Sequence, residues 1–479
     1  MKKLCKSFPL ALVFMLLFAT AGFAQNKATL SGSIKNPKGK KVYLSTHTDN
    51  ITFNQVMVDS AALDKKGNFT MTFTWNQAGE ATFAHGDEIA HVYLTPGDNL
   101  HLTLNTAQFD ETLKFSGKGS AINNFLAQKY LREEQLQMPR ALAAKKTEND
   151  FVKFADSLRD ADLAFVDNYF AKIKTANDAD MVVANAQKAA VKYNWAASRL
   201  FYPNLHSYYN KLEEPYKPNE SYYNFLEEMV SERENNNPTN AYLDFAESYA
   251  DYLTAKARAE DEELKNEPYS KTYFDVVTHR FTGKTKAFLQ TQALYNGLTM
   301  GGGADEVEPL MDSYQTQTAK WPEYVAIINK AYERALPLKS GNPAPDFTVT
   351  NLDGRKLKLS DYKGKVVFID VWASWCGPCL GEIPHAKKLM DGLEDDDVVF
   401  LNVSVDQSEK AWRDAIKKHD VKGNNVLANG AFKSDIAQSY NINAIPHYIL
   451  IGRDGHIIKA NAGRPSTTAL DEIRQALRQ

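Results

Sequence analysis

Residues 365–372, KVVFIDVW, place the strongest limit on the folds open to this chain of 479 residues. Their apolar side chains run on without the alternation of a strand that has one face in water, so we predict a strand buried on both faces. DVVFLNVSVD and HYILIG are two further runs of this kind, with helical stretches between them. Buried strands that alternate with helices predict an α/β layer in this part of the chain.

The region before it has two different patterns, and the first is that of strands. Residues 25–117 contain alternating runs such as NFTMTFTW, in which Phe69, Met71 and Phe73 share one face. Short strands at this spacing predict an all-β sandwich. The Pro-Gly turn at residues 95–98 lies between HVYL and NLHLTLN, and we predict that it closes a hairpin.

Residues 118–337 change to a helical period, as shown by Tyr324, Ile328 and Ala335, which fall on one face of a predicted helix. The many tyrosines of this all-α region are expected to pack between helices, with a binding groove as the alternative. The Gly- and Pro-rich stretch LKSGNPAPDF then marks a boundary, so residues 338–479 form the α/β domain of a multidomain protein.

The first 24 residues have the layout of a secretory signal peptide, with Lys2 in a basic start, an apolar run and a small-residue ending at Ala24. The alternative is a membrane anchor, but the apolar run is shorter than the ~20 residues that a spanning helix needs. Cleavage would remove Cys5 and leave Cys376 and Cys379 in an oxidising compartment. We therefore expect an exported protein that is soluble after cleavage and has no stable membrane span.

Charge and motifs exclude several classes of function. The formal net charge is −3 and no basic cluster is present, so the sequence does not favour a nucleic-acid partner. The sequence contains no HExxH pair, no GxSxG elbow and no Walker loop. We expect neither a metal nor a cofactor.

Cys376 and Cys379 stand three positions apart in WCGPC, and such a pair has three possible roles. A structural zinc site needs four ligands, and only His385 lies near this single half-site. A structural bridge across so short a loop removes little entropy from the unfolded chain. Redox chemistry fits the surrounding sequence better than either.

A helix predicted to begin at the cysteines places Cys376 at its N-terminus, where unpaired amide groups and the helix dipole stabilise a thiolate. Cys376 is then the attacking nucleophile, and Cys379, expected to be more enclosed, resolves the mixed disulfide. Gly377 allows a close approach of the partner, and Pro378 suits a first helical turn.

These residues and their surroundings resemble the thioredoxin superfamily, and within it the TlpA/ResA-like thiol-disulfide oxidoreductases found outside the bacterial cytoplasm. WCGPC is the thioredoxin active-site sequence, and APDF, LDGRKLKLSDYKGK and SVD are similar to TlpA-type sequence. VDSAALDKKGNF and YLTPGDNLHL resemble a β domain of unknown function that often precedes such domains, and the helical middle resembles the linker region of the same proteins.

The resemblance also implies roles for single residues. Asp370 matches the buried acid that assists proton transfer to and from the resolving cysteine, although many ResA-like members carry a neutral residue there. Glu382 matches the glutamate of a CxxCxxE pattern. Ile445 and Pro446 match the cis-proline loop that pairs with the backbone of a bound peptide. The residues expected to meet a substrate are Trp375, Gly377, Pro378, Ile445 and Pro446.

The sequence thus predicts an enzyme, an exported oxidoreductase that reduces or exchanges protein disulfides through a Cys376–Cys379 dithiol and disulfide. The Gly-Pro spacer is the thioredoxin type, whose potential lies ~150 mV below that of a strong oxidant. In an oxidising compartment such a pair needs a membrane or periplasmic electron donor. One alternative is an adaptor that binds a peptide or glycan through residues 25–337. Another is a peroxiredoxin-like peroxidase, which Ala373 disfavours because that position requires threonine.

Overall fold

The computed structural model describes residues 26–173, 178–393 and 397–479, so the predicted signal peptide lies outside the described residues. The chain forms two compact units, Met1–Phe225 and Leu226–Gln479. Their boundary falls inside the predicted helical region, and the domain boundaries at 117 and 337 stay predictions. The β, helical and α/β regions follow one another in the predicted order.

The first unit begins with a β-sandwich, as predicted. Its elements are β1 (Lys27–Lys35), β2 (Lys41–His47), β3 (Gln55–Ala62), β4 (Asn68–Thr74), β5 (Gly79–His85), β6 (Glu88–Leu94), β7 (Asn99–Asn105), α1 (Phe109–Thr112) and β8 (Lys114–Lys118). The strand orders of its two sheets are β4-β1-β7-β8 and β3-β2-β5-β6. Side chains of both sheets form one core, in which the rings of Phe69 and Phe83 stack with centroids 5.5 Å apart.

The predicted hairpin at residues 95–98 is wrong, because β6 and β7 lie in different sheets. β7 pairs with β1 in parallel and with β8 in antiparallel orientation. The turn is tied to the start of β1, since Gly97 N–H donates to the Lys27 carbonyl (3.1 Å) and Thr29 N–H donates to the Asp98 carbonyl (2.9 Å). A Pro-Gly turn reverses the chain but does not decide which strand becomes the partner.

The described residues between β8 and the α/β region form helices and no strand, which confirms the all-α prediction. The helices are α2 (Ser120–Ala143), α3 (Glu148–Phe170), α4 (Asp178–Asn210), α5 (Glu232–Asn236), α6 (Asn240–Glu260), α7 (Glu262–Asn266), α8 (Tyr269–Arg280), α9 (Gly283–Thr299), α10 (Ala304–Val307), α11 (Met311–Thr318) and α12 (Pro322–Ala335). Of the 18 tyrosines between residues 118 and 337, eight are buried, as Tyr202, Tyr242 and Tyr314 are, six are half-buried, and four are exposed, Tyr208 among them. Among the described residues, no helix has both the length and the hydropathy needed to cross a bilayer.

The rest of the second unit is a thioredoxin-like α/β region, as predicted. Its elements are β9 (Thr348–Asn351), β10 (Lys356–Lys358), β11 (Val366–Trp372), α13 (Gly377–Asp391), β12 (Val398–Ser404), α14 (Glu409–His419), β13 (Asn424–Leu427), α15 (Asp435–Ser439), β14 (His447–Ile451), β15 (Ile457–Lys459) and α16 (Ala469–Leu477). The strand order is β10-β9-β13-β12-β11-β14-β15. β11 runs parallel to β12 and antiparallel to β14.

Strand β11 is central and explains where the cysteines lie. Val366 and Phe368 join the core formed with α13 and α16, whereas Ile369 and Val371 join the core formed with α14 and α15. Six of its seven residues are buried, as the unbroken apolar run predicted, and only Asp370 is half-buried. Because both faces of β11 are buried, the strand gives the loop that leads to the cysteines a rigid support.

Candidate active site

Cys376 and Cys379 are joined by a disulfide at the start of α13, with their Cα atoms 5.3 Å apart. Cys376 is the N-cap of the helix, and its Sγ accepts a hydrogen bond from the Cys379 N–H at 3.2 Å. Pro378 occupies the first turn, where its missing N–H leaves no helical bond unmade. The sulfur of Cys376 thus lies where the free amide groups of the helix converge.

The two cysteines are equally enclosed, each with 4% of its surface exposed. The expectation that Cys379 is more enclosed is therefore wrong for this oxidised form. Both side chains belong to the same core cluster. What distinguishes Cys376 here is its position at the N-cap.

Asp370 lies on β11 opposite Tyr448 of β14. Its Oδ1 is shut off from solvent and has no hydrogen-bond partner among the described residues. Burial, with a smaller contribution from the Glu382 carboxylate, raises the pKa of Asp370 to about 7. This carboxyl group therefore exchanges a proton near neutral pH, whereas burial keeps the pKa of Tyr448 far above its usual range.

Glu382 lies one helical turn after Cys379 and is buried, with 8% of its surface exposed. Both of its oxygens accept hydrogen bonds from Ser466, from the backbone N–H at 3.0 Å and from the hydroxyl at 2.8 Å. Its negative charge acts on Asp370 and on Tyr448. The carboxyl groups of Asp370 and Glu382 and the phenol of Tyr448 are therefore close enough to act on one another electrostatically.

Trp375, Gly377 and Pro378, three of the residues expected to meet a substrate, adjoin the disulfide in the sequence. Trp375 is 62% exposed, and its ring centroid is 6.4 Å from that of Phe432. Gly377 and Pro378 are exposed, and a Cβ at Gly377 would meet no atom within 4 Å. Ile445 packs against the core cluster that contains both cysteines, and the bond between Ile445 and Pro446 is cis.

His447 follows the cis-proline and is neutral at pH 7. Burial lowers its pKa to about 4, against the opposite effect of its hydrogen bond to the Ala460 carbonyl (3.0 Å). The imidazole of His447 is therefore an uncharged ring that its hydrogen bond to the Ala460 carbonyl holds in place.

Sequence reasoning missed the residue that fixes the active-site loop. Asp406 is buried, with 4% exposure, and its carboxylate accepts hydrogen bonds from the Ser374 N–H (2.9 Å), the Ser374 hydroxyl (2.7 Å) and the Ser404 hydroxyl (2.8 Å). Asp406 ends the SVD motif, which was noticed only as a likeness. Ser374 directly precedes WCGPC, so this carboxylate holds the backbone that carries the disulfide.

The first unit contains a separate cavity of about 440 Å³ between α2, α3 and α4. Its aromatic lining includes Phe154, Phe165, Trp195 and Phe201. No predicted site residue lies here, and the rings belong to phenylalanine and tryptophan rather than to the tyrosines that the sequence drew attention to.

Comparison with known proteins agrees with a thioredoxin-like α/β region at the end of the chain. The Redoxin family model matches residues 339–477. The thiol-disulfide oxidoreductase ResA of Bacillus thuringiensis subsp. konkukian is 31% identical over 135 residues, which are 28% of this chain and 76% of that protein. ResA of Bacillus subtilis is 25% identical over 152 residues, 32% of this chain and 83% of that protein.

Among solved structures, the thioredoxin domain of a thiol-disulfide oxidoreductase from Bacteroides vulgatus is 30% identical, with a TM-score of 0.28, and the match covers 29% of this chain and 99% of that one. The family assignment depends on the ResA protein that is 31% identical and of which this chain covers 76%. The chain belongs to the ResA family of thiol-disulfide oxidoreductases and is a thioredoxin-like enzyme.

Proposed function

We propose that the chain is exported and reduces or exchanges protein disulfides through Cys376 and Cys379. One observation carries the proposal: Cys376 is the N-cap of α13 and its Sγ already accepts a helical N–H. Amide groups and the helix dipole stabilise negative charge at this place, so the reduced Cys376 would be a thiolate, the form that attacks disulfides.

The reaction then has two exchange steps. The Cys376 thiolate attacks one sulfur of the substrate disulfide, forming a mixed disulfide and releasing the other substrate sulfur as a thiolate. Cys379 loses its proton and attacks Cys376, which forms the intramolecular bond and releases the second substrate thiolate. Two electrons pass from the enzyme to the substrate, and a separate donor must return them.

Asp370 is proposed to take the proton from Cys379. A carboxyl group with a pKa of about 7 has the affinity that a base working near neutral pH requires. Glu382, buried one turn after Cys379, is proposed to act in the same proton transfer. The proposal gives both residues a part in resolving the mixed disulfide and none in the first attack.

The exposed face around Cys376 is proposed to receive an extended polypeptide. Trp375, Gly377 and Pro378 offer an open surface, and the backbone at Ile445 and Pro446 is proposed to pair with the peptide. Disulfide-containing proteins are thus the proposed substrates. Export follows from the pattern of the first 24 residues and makes a membrane or periplasmic electron donor necessary.

Insulin reduction by Cys376→Ser and Cys379→Ser variants tests the proposal. We expect neither variant to turn over, and only Cys379→Ser to accumulate a mixed disulfide that survives non-reducing electrophoresis. Ser439→Ala, a change on the surface of α15, is the matched control and should keep full activity. Full activity of Cys376→Ser would end the proposal.

Peroxide reduction is not proposed for this site. Ala373, three positions before Cys376, is fully buried and carries no hydroxyl to bind a peroxide. In a hydrogen peroxide consumption assay with dithiothreitol as reductant, we expect the enzyme to leave the rate equal to that of dithiothreitol alone.

The cavity in the first unit favours a second activity, the binding of an uncharged apolar ligand. A volume of about 440 Å³ lies in the range of small-molecule sites. The guanidinium of Arg159 lies 4.9 Å from the centroid of the Trp195 ring and is ion-paired with Asp156 (3.2 Å). That of Arg132 lies over Phe165 and is ion-paired with Asp162 (2.9 Å). The cations are thus already partnered, which favours an uncharged guest.

N-phenyl-1-naphthylamine is the probe that tests this activity. We expect its fluorescence to rise on binding to the full chain, and Ala197→Trp, which fills the cavity, to abolish the rise. Ala186→Trp places the same side chain on an exposed part of α4 and should leave binding unchanged. Equal binding by both variants would contradict the assignment.

A further inference from the structure

Ser466 reaches the buried centre from a loop 84 positions along the chain from Glu382. Its N–H donates to Oε2 of Glu382 and its hydroxyl donates to Oε1, so one residue occupies both oxygens of the carboxylate. Hydrogen bonds of this kind, in which the acceptor is charged, are short and about twice as strong as neutral ones.

The loop that carries Ser466 is itself held in place. Glu472 of α16 accepts hydrogen bonds from the Gly463 N–H (2.8 Å) on one oxygen and from the Thr468 hydroxyl (2.9 Å) on the other. The next residue, Ile473, is fully buried in the core beneath α16. Ser466 therefore binds Glu382 from a fixed position, so the two hydrogen bonds form with little loss of conformational entropy.

We propose that Ser466 is a positioning residue of the redox centre, which holds the Glu382 carboxylate in the place from which its charge acts on Asp370. The inference rests on the proposed function, because it assigns a purpose to proton exchange at Asp370. It adds a residue that lies outside the cysteine motif and outside the cis-proline loop.

Asp370 and Glu382 are two acids that act on each other in one enclosed site. Donors aimed at a carboxylate favour its ionised form, and a negative neighbour favours the protonated form of the other acid. Glu382 raises the pKa of Asp370 in this way, although burial is the larger cause. The other groups that act on the site are Tyr448 of β14, which stays protonated, and the Arg464 guanidinium.

Removing the Ser466 hydroxyl should let the Glu382 carboxylate turn away and so weaken the effect of its charge on the pKa of Asp370. In the oxidised full chain, carboxyl ¹³C NMR follows both groups, with Asp370→Asn and Glu382→Gln as assignment variants. We expect Ser466→Ala to lower the midpoint of Asp370 by roughly half a pH unit, as partial loss of a neighbouring charge requires. Ser466→Thr keeps the hydroxyl and should restore the midpoint.

Thr467→Ala is the matched control, since its hydroxyl bonds to the Arg464 carbonyl in the same loop and does not reach Glu382. It should titrate as the unchanged chain does. The pH profile of mixed-disulfide resolution in single-turnover insulin reduction should shift in the same direction as the Asp370 midpoint. A change that only loosened the fold would lower the rate without moving the profile.

An unchanged Asp370 midpoint in a folded Ser466→Ala variant overturns the proposal. Ser466→Gly removes the same hydroxyl and decides the question should Ser466→Ala fail to fold. The titration uses the oxidised protein and needs no turnover, so it is independent of the insulin assay. A shifted midpoint together with an active Cys376→Ser variant would sink the proposed function and leave the role of Ser466 standing.

Discussion

Asp370 has a carboxyl group whose Oδ1 is shielded from water and has no hydrogen-bond donor among the described residues. In the unfolded chain it would ionise at its ordinary pKa of 3.8, whereas in the fold its pKa is about 7. The folded state therefore binds the proton more tightly. Proton binding at Asp370 therefore contributes to the free energy of unfolding. This contribution is fully present below about pH 4 and is lost as the pH rises through about 7.

Asp370→Asn should consequently stabilise the oxidised protein at alkaline pH. We expect the free energy of unfolding to increase by about 2–4 kcal/mol at pH 8, because the amide carries no charge to bury, and to change little at pH 4. Urea unfolding at the two pH values measures the difference. Asp414→Asn, at an exposed position on α14, is the control. An equal effect of Asp370→Asn at both pH values would contradict the pKa assigned to this group.

Among the structural elements, the loop between β11 and α13 depends on one carboxylate from the end of β12. Asp406 is almost fully buried and collects three donors, two of them from Ser374. A buried acceptor with three donors contributes more to the free energy of unfolding than a surface ion pair does, because its removal leaves those donors without partners.

Asp406→Ala should therefore weaken both the fold and the reaction. We expect a loss of about 3 kcal/mol in the free energy of unfolding, and insulin reduction roughly tenfold slower because the cysteines lose their fixed position. Asp414→Ala removes an exposed carboxylate that pairs with Lys410 and should change stability by less than about 0.5 kcal/mol. Wild-type activity of Asp406→Ala would show that the loop keeps its geometry without this contact.

Elements with a strong local pattern could be predicted from sequence. The unbroken apolar run is enough to predict the buried strand β11. The prolines near both ends of α12 likewise predict where that helix begins and ends. The turn between β9 and β10 needs a glycine, since Gly354 has a φ of +79°. Contacts between distant residues leave no such pattern, which is why the Ser374–Asp406 and Glu382–Ser466 hydrogen bonds were not foreseen.

For the whole molecule, the Gly- and Pro-rich stretch predicted as a domain boundary is tied to the structure on both sides. Leu338 is buried in the core that contains the cysteines. Ser340 N–H donates to Asp305 (2.8 Å), and Lys339 forms an ion pair with Glu308. Asn441 of the α/β region donates to the Arg334 carbonyl at the end of α12 (2.7 Å). Composition predicted a domain boundary here, and these contacts hold the stretch to the residues before and after it.

A fragment of residues 338–479 should accordingly be less stable than one of residues 226–479. We expect its unfolding midpoint to be several degrees lower, because the contacts with α10 and α12 are lost. Both fragments should reduce insulin, since each keeps the disulfide and the buried acids. Calorimetry of the two oxidised fragments makes the comparison, and identical midpoints would place an independent domain at residue 338.

Strand β1 lies inside its sheet, between β4 and β7, and its parallel partner is 70 positions away, as in the pairing of Thr29 with Asn99. In a nascent chain that has been made only as far as β4, the edge of β1 that will pair with β7 therefore has unpaired amide and carbonyl groups. Such an open ladder recruits strands from other copies, so aggregation competes with folding until β7 arrives. Refolding in vitro should therefore give its best yield in dilute solution.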